Sequence, residues 1–82
     1  MAGRIAALGP GVEGWREGQR VTAQLGFGGY ASRVLAGVGH LRPIPGEMPA
    51  ADAVALGVTY LTSMLGLCDR AHLRAGETVL VH

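Results

Sequence analysis

Apolar and polar positions follow two different rhythms in the two halves of this chain. In the first half the pattern is short and alternating. Arg4-Ile5-Ala6-Ala7-Leu8 predicts a strand that is stopped by Gly9-Pro10-Gly11. Gln19 to Leu25 predicts a second strand, with Val21, Ala23 and Leu25 on one face. Gly26-Phe27-Gly28-Gly29 predicts a turn, and Tyr30 to Leu35 a strand returning beside the second one in a hairpin-like pair. Leu41-Arg42-Pro43-Ile44-Pro45 must be extended, because each proline restricts the residue before it. Short strands and glycine turns of this kind predict a small barrel.

The rhythm changes at Pro49. Ala53, Leu56, Gly57, Tyr60, Leu61, Met64, Leu65 and Cys68 recur at helical spacing as one apolar stripe. Pro49 suits a first helical turn, and Asp52 complements the positive end of the helix dipole. Arg70, His72 and Arg74 fall near the other end, where cations are favoured. Gly57 and the β-branched Val58-Thr59 weaken the middle, which predicts two helices with a break there. From the turn Ala75-Gly76 onward, the run Gly76-Glu77-Thr78-Val79-Leu80-Val81-His82 predicts a buried strand. Such a strand needs neighbours in a parallel sheet and helices over both faces. The expectation is therefore a piece of a larger protein, reaching the first strand of a second, α/β domain.

Composition narrows the picture. A chain of 82 residues allows one small domain. At this size only about 60% of the unfolded surface is buried, so independent stability is marginal. Charged residues make up 16% and hydrophobic ones 49%, which suits faces that belong against partners. The net charge of +1 offers no electrostatic case for nucleic acid or an anionic membrane. Met1 to Leu8 does not read as a secretory leader, and the apolar stretch Ala53–Cys68 reads as too short to span a bilayer. With Cys68 the lone cysteine, there is no internal disulfide and no cysteine cluster for zinc. A reducing, cytoplasmic location is the simplest reading.

Two glycine patterns imitate a dinucleotide fingerprint. Gly9-Pro10-Gly11-Val12-Glu13-Gly14 fits G-x-G-x-x-G, and Gly26-Phe27-Gly28-Gly29-Tyr30-Ala31 fits G-x-G-x-x-A. The mechanism requires a helix to begin at the loop, so that its N–H groups face the pyrophosphate. Trp15 to Gln19 shows no helical stripe, and Gly37 and Gly39 would break a helix starting at Tyr30. Both read as glycine turns. His40, His72 and His82 lie too far apart for a zinc motif, and Cys68 on the apolar stripe reads as a buried, inert thiol.

Taken in order, the short motifs resemble the medium-chain dehydrogenase/reductase superfamily. Gly3-Arg4-Ile5, Leu8-Gly9, Val12 and Gly18-Gln19-Arg20-Val21 resemble its "G-x-V…G…V…G-D-R-V" stretch. Gly28-Gly29-Tyr30-Ala31-Ser32 resembles "G-G-Y-A-E", and Leu41 to Pro45 resembles "L-x-P-I-P". Ala50-Ala51 to Leu56, then Tyr60-Leu61-Thr62-Ser63, resemble "E-A-A-A-L" and "Y-L-T-A". Gly76 to His82 resembles "G-E-T-V-L-V-H", which in the family precedes the cofactor loop. Gln19 stands for the family's Asp, Ser32 for Glu and Ser63 for Ala. Gln19 keeps hydrogen-bonding capacity and loses a charge.

The resemblance implies a mixed α and β fold in three parts. Residues 1–48 would form part of a GroES-like β-barrel, residues 49–75 the connecting helices, and residues 76–82 the first strand of a Rossmann α/β domain. No cysteine lies between Arg20-Val21 and the Gly26–Ala31 segment, where zinc-containing members carry a cysteine lobe. This resembles the zinc-independent quinone oxidoreductase branch, which also includes enoyl reductase domains of polyketide synthases. The implied reaction is hydride transfer from NADPH to a quinone, activated alkene or carbonyl compound, with no metal. The cofactor carries the chemistry while the protein orients it. Thr62 is the implied cofactor-binding residue, bordering the nicotinamide, where a hydroxyl can bond a carboxamide. Equally, it can be a helix threonine bonding its own backbone. No residue is nominated as catalytic. The implied partners are a small-molecule substrate and, for the parent protein, further copies of itself in a homo-oligomer, with neither nucleic acid nor membrane. An enoyl reductase module of a multifunctional synthase and a non-catalytic remnant or binding module are the alternatives. The chain by itself is expected to be inactive and to bind NADPH poorly.

Overall fold

The computed structural model describes all residues, 1–82. An antiparallel sheet of three strands, in the order β1-β2-β3, carries the first half. Strand β1 is Ala2–Arg4, β2 is Arg20–Ala23 and β3 is Leu41–Pro43. β1 lies closer to the N-terminus than Arg4–Leu8, but Ile5 extends its ladder. The Ile5 amide donates to Gln19 at 3.0 Å and the Gly18 amide donates to Ile5 at 2.8 Å. At the other end, the Met1 ammonium donates to the Ala23 carbonyl at 3.0 Å.

β2 falls where the alternation places it, with Val21 and Ala23 buried on one face. Its second partner is not the Tyr30–Leu35 stretch. β3 takes that place, pairing Val21 with Pro43, Thr22 with Arg42 and Ala23 with Leu41. The Ile44 amide continues the ladder to the Arg20 carbonyl at 3.0 Å, and the Ile44 side chain is buried. Pro43 sits on an edge strand, where its missing N–H leaves no gap in the ladder. Tyr30–Leu35 forms no strand, and Tyr30 and Leu35 are fully exposed. A strand needs a neighbour to satisfy its backbone and a covered face, and β3 has occupied the free edge of β2.

The turn Pro45–Met48, closed by the Met48 amide on the Pro45 carbonyl at 3.1 Å, leads into one helix, α1, spanning Ala50–Arg70. Pro49 is its N-cap and Asp52 lies in its first turn. The expected break at Gly57–Thr59 is absent. Instead the helix widens to π winding over Leu56–Tyr60, returns to α over Leu61–Met64 and widens again over Leu65–Arg70. Weak helix formers loosen the winding without ending it. α1 packs its first turns across β1, and Ala53 is buried there.

Most of the apolar stripe of α1, by contrast, faces outward. Leu56, Tyr60, Leu61, Met64 and Leu65 are all exposed, as is Cys68. The expectation of a buried Cys68 thiol is therefore corrected. At 21 residues, α1 is also longer than the Ala53–Cys68 stretch, and by length and composition it meets the requirement for a membrane span.

Two residues past the end of the helix, His72 takes a left-handed φ of 52°. The Leu73 amide then reaches back to Leu67 at 2.9 Å, a wide version of the closure usual at helix C-termini. A turn at Arg74–Glu77 follows, in which Glu77 Oε2 accepts from the Arg74 amide at 2.7 Å. The buried strand predicted over residues 76–82 is not formed. That segment joins no sheet, and Leu80 and Val81 are about four-fifths exposed. The parallel neighbours that such a strand requires are not supplied by β1, β2 or β3, which pair antiparallel with one another.

Candidate functional site

Thr62 lies in the short α-wound stretch of α1 between the two π-wound stretches. Its Oγ1 donates to the Val58 carbonyl at 2.8 Å, and Ser63 Oγ does the same to Thr59 at 3.0 Å. Both hydroxyls are exposed and bond the preceding turn, the local arrangement open to any helical threonine or serine. The Thr62 oxygen keeps acceptor capacity after donating its proton. A carboxamide N–H is therefore a chemically suitable partner for it.

The rest of a dinucleotide site is not assembled by these residues. The Gly9–Gly14 segment is an exposed turn, with Gly11 and Gly14 at φ of 72° and 79°. No helix starts there or directly after Gly26–Ala31, where the next helical turn is Val38–His40, so neither segment aims a row of N–H groups at a pyrophosphate. The fit to a nicotinamide cofactor is confined to one acceptor on Thr62. No three His, Cys, Asp or Glu side chains converge at metal-binding distance, and His40, His72 and His82 are not brought together.

Two open grooves flank the sheet. One, of about 540 Å³, lies between the β2–β3 end of the sheet and α1. Thr22, Gln24, His40 and Arg42 face it from the sheet side and Val58 and Thr59 from the helix. Arg42 Nη1 donates to the Leu41 and Gly39 carbonyls at 2.7 and 3.1 Å. The other, of about 550 Å³, runs between β1, Trp15 and the Ala31–Val38 segment and is lined mainly by apolar side chains. Thr62 lines neither groove.

Sequence reasoning passed over the polar face of the sheet. Once Val21 and Ala23 point inward, Thr22 must point the other way, and register then sets it opposite Arg42. That signal was available from alternation alone, but only with β3 as the partner. Arg20 was noted as part of a motif and carries more than that. Its Nη1 donates to the Gly46 carbonyl at 2.8 Å and its Nη2 to the Met48 carbonyl. Gln19, the residue that departs from the family pattern, accepts from the Arg16 amide through Oε1 at 3.2 Å. The turn entering β2 is thus closed by a neutral side chain.

Comparison with known proteins adds the decisive information. The chain is 40% identical to the quinone oxidoreductase of Lama guanicoe, matching along its whole length and covering 25% of that protein. It is 37% identical to the quinone oxidoreductase of Rattus norvegicus over the same extents. It is 38% identical to the reducing polyketide synthase PKS1 of Cochliobolus heterostrophus, with 99% of this chain matched to 3% of the synthase. The chain spans about a quarter of the length of the quinone oxidoreductases it matches. No protein-family model matches the chain, and no solved structure does. The similarity runs from Met1 to His82, and the chain belongs to the medium-chain dehydrogenase/reductase superfamily, with quinone oxidoreductases and reducing polyketide synthases among its relatives.

Proposed function

We propose that this chain serves a zinc-independent, NADPH-dependent oxidoreductase that transfers hydride to a quinone, an activated alkene or a carbonyl compound. The observation that carries this reading is the similarity to quinone oxidoreductases over the full chain. In it, residues 1–48 contribute to the substrate-side barrel, α1 connects, and residues 76–82 provide a strand of the cofactor domain. When bound, the nicotinamide supplies the hydride. Thr62 Oγ1 would accept a hydrogen bond from the carboxamide while its own hydroxyl goes on donating to the Val58 carbonyl. The protein acts in the cytoplasm, on a small molecule, as a homo-oligomer.

The partner of α1 in this reading is protein and not lipid. Its first turns are already committed to the sheet through Ala53. From Val54 onward about 26 Å of helix remains at about 1.5 Å per residue, short of the ~30 Å hydrocarbon core. Thr59, Thr62 and Ser63 also interrupt its surface.

The match to reducing polyketide synthases supports a second reading, an enoyl reductase module acting on a carrier-bound enoyl thioester. Following NADPH absorbance with a protein that carries these residues tests both. Turnover with a simple quinone, undiminished by a zinc chelator, is the expected result. Turnover only with an enoyl thioester would select the second reading, and turnover with none of a quinone, a small enone, a carbonyl compound and an enoyl thioester would overturn both. In an active protein, Thr62→Val should raise the KM for NADPH several-fold, while Thr62→Ser should not. For residues 1–82 alone, NADPH titration should give no submicromolar binding.

A further inference from the structure

The junction between sheet and helix rests on very few groups. Only the Pro45–Met48 turn and Pro49 connect β3 and Ile44 to α1, and Gly46 within that turn takes a φ of +39°. Beyond it, the sheet holds the helix through the first turns around Ala53. A junction of this kind bends easily unless something bridges it. The Arg20 guanidinium does so from β2, donating to the carbonyls of Gly46 and Met48 on both sides of Glu47. Its partners lie 26 and 28 residues away in sequence, so the contact closes the sheet onto the turn from outside. Charge-assisted donation from a rigid fork to two carbonyls fixes an angle as well as a distance.

We propose that Arg20 is a positioning residue that clamps the Gly46 hinge and so sets the direction in which α1 leaves the sheet. The lever is long. A change of ~10° at the base moves Thr62, about 18 Å along the helix, by about 3 Å, and the far end by about 5 Å. Displacements of this size decide whether a side chain meets its ligand. The consequence for Thr62 rests on the proposed function, whereas the clamp itself does not, and the experiment reads the clamp.

The lone Cys68, exposed on the far part of α1, offers one spin-label position. Gln24→Cys, at an exposed position beyond β2, supplies the second. The distance distribution between the two labels is measured in a longer protein that carries these residues, with any further cysteines replaced by serine, as the parent, Arg20→Met and Arg20→Lys forms, and amide exchange at Ile44 and Ala23 monitors the sheet. The expected result is a single narrow distribution in the parent and one about twofold broader or divided in Arg20→Met. Arg20→Lys should be intermediate, because a compact ammonium lacks the fixed fork. Amide protection should stay within about threefold throughout, since both amides bond main-chain carbonyls. An unchanged distribution in Arg20→Met would overturn the proposal, as would a broad one in the parent. Collapse of sheet protection in both variants would overturn it too, by assigning Arg20 to the sheet itself.

Discussion

His72 shows how one backbone angle closes the longest element of the chain. At φ of 52° it turns the chain away so that the Leu73 amide can reach the Leu67 carbonyl. A side chain with a Cβ is strained in this region, and glycine is not. Histidine is among the residues found there more often than most, yet the strain remains. His72→Gly should therefore stabilise the helix end by about 0.5–1 kcal/mol after allowing for the greater freedom of glycine when unfolded. Amide exchange at Leu73 would report this as roughly threefold greater protection. His72→Ala, which keeps the strain and removes the imidazole, should give no such gain. If both variants behave alike, the turn is not the source of the strain.

Along α1 the two internal glycines stand where the winding is loosest. Gly57 lies in the first π-wound stretch and Gly66 in the second, and a Cβ added at either meets nothing within 4 Å. Gly57→Ala and Gly66→Ala should each add about 0.8–1 kcal/mol of helix stability, read as a higher midpoint in the thermal loss of helical ellipticity. A loss of stability from either would mean that the space beside the glycine is filled. The same helix shows what the sequence could and could not reveal. Its span and its dipole-matched ends were legible because spacing, Pro49 and Asp52 agree with one another. The expected break was wrong because propensity weighs each residue separately, whereas a helix can redistribute the weakness of Gly57-Val58-Thr59 as wider winding. β2 was legible for the same reason as the helix, since alternation alone put Val21 and Ala23 inward. The pairing was not. Both Tyr30–Leu35 and Leu41–Pro43 have strand character, and only the register through Ile44 and Arg20 decides between them. Thr62 was legible through family resemblance, but nothing in the local pattern distinguishes its bond to Val58 from that of Ser63 to Thr59.

Viewed whole, the molecule is extended, at 49 × 24 × 23 Å with a radius of gyration of 16.0 Å. A compact chain of this length would have a radius near 12 Å, by about 2.2·N^0.38. Its accessible surface is 6923 Å², against about 4,700 Å² for a compact monomer of this mass. Only Val21, Ala23, Ile44 and Ala53 are buried. The excess, roughly 2,200 Å² on this side alone, corresponds to about 4,400 Å² counted over both sides, within the range of obligate interfaces. The chain's most exposed large apolar side chains are Phe27, Tyr30 and Leu35, then Val81 and Leu80, while the longer α1 stripe is about half exposed. Four buried side chains cannot offset the ordering entropy of a domain, so residues 1–82 alone should not melt in a sharp transition. They should instead show a broad loss of helical signal, enhance the fluorescence of a hydrophobic dye, and sediment with a mass that rises with concentration. A sharp monomeric transition without dye binding would contradict this directly. It would mean that the outer stripe of α1 finds internal partners, and would strengthen the case for a self-sufficient binding module over that for one part of an oxidoreductase. The same exposed stripe that makes the chain unstable alone is what a surrounding enzyme would cover, so stability and function should be gained together when that surface is buried.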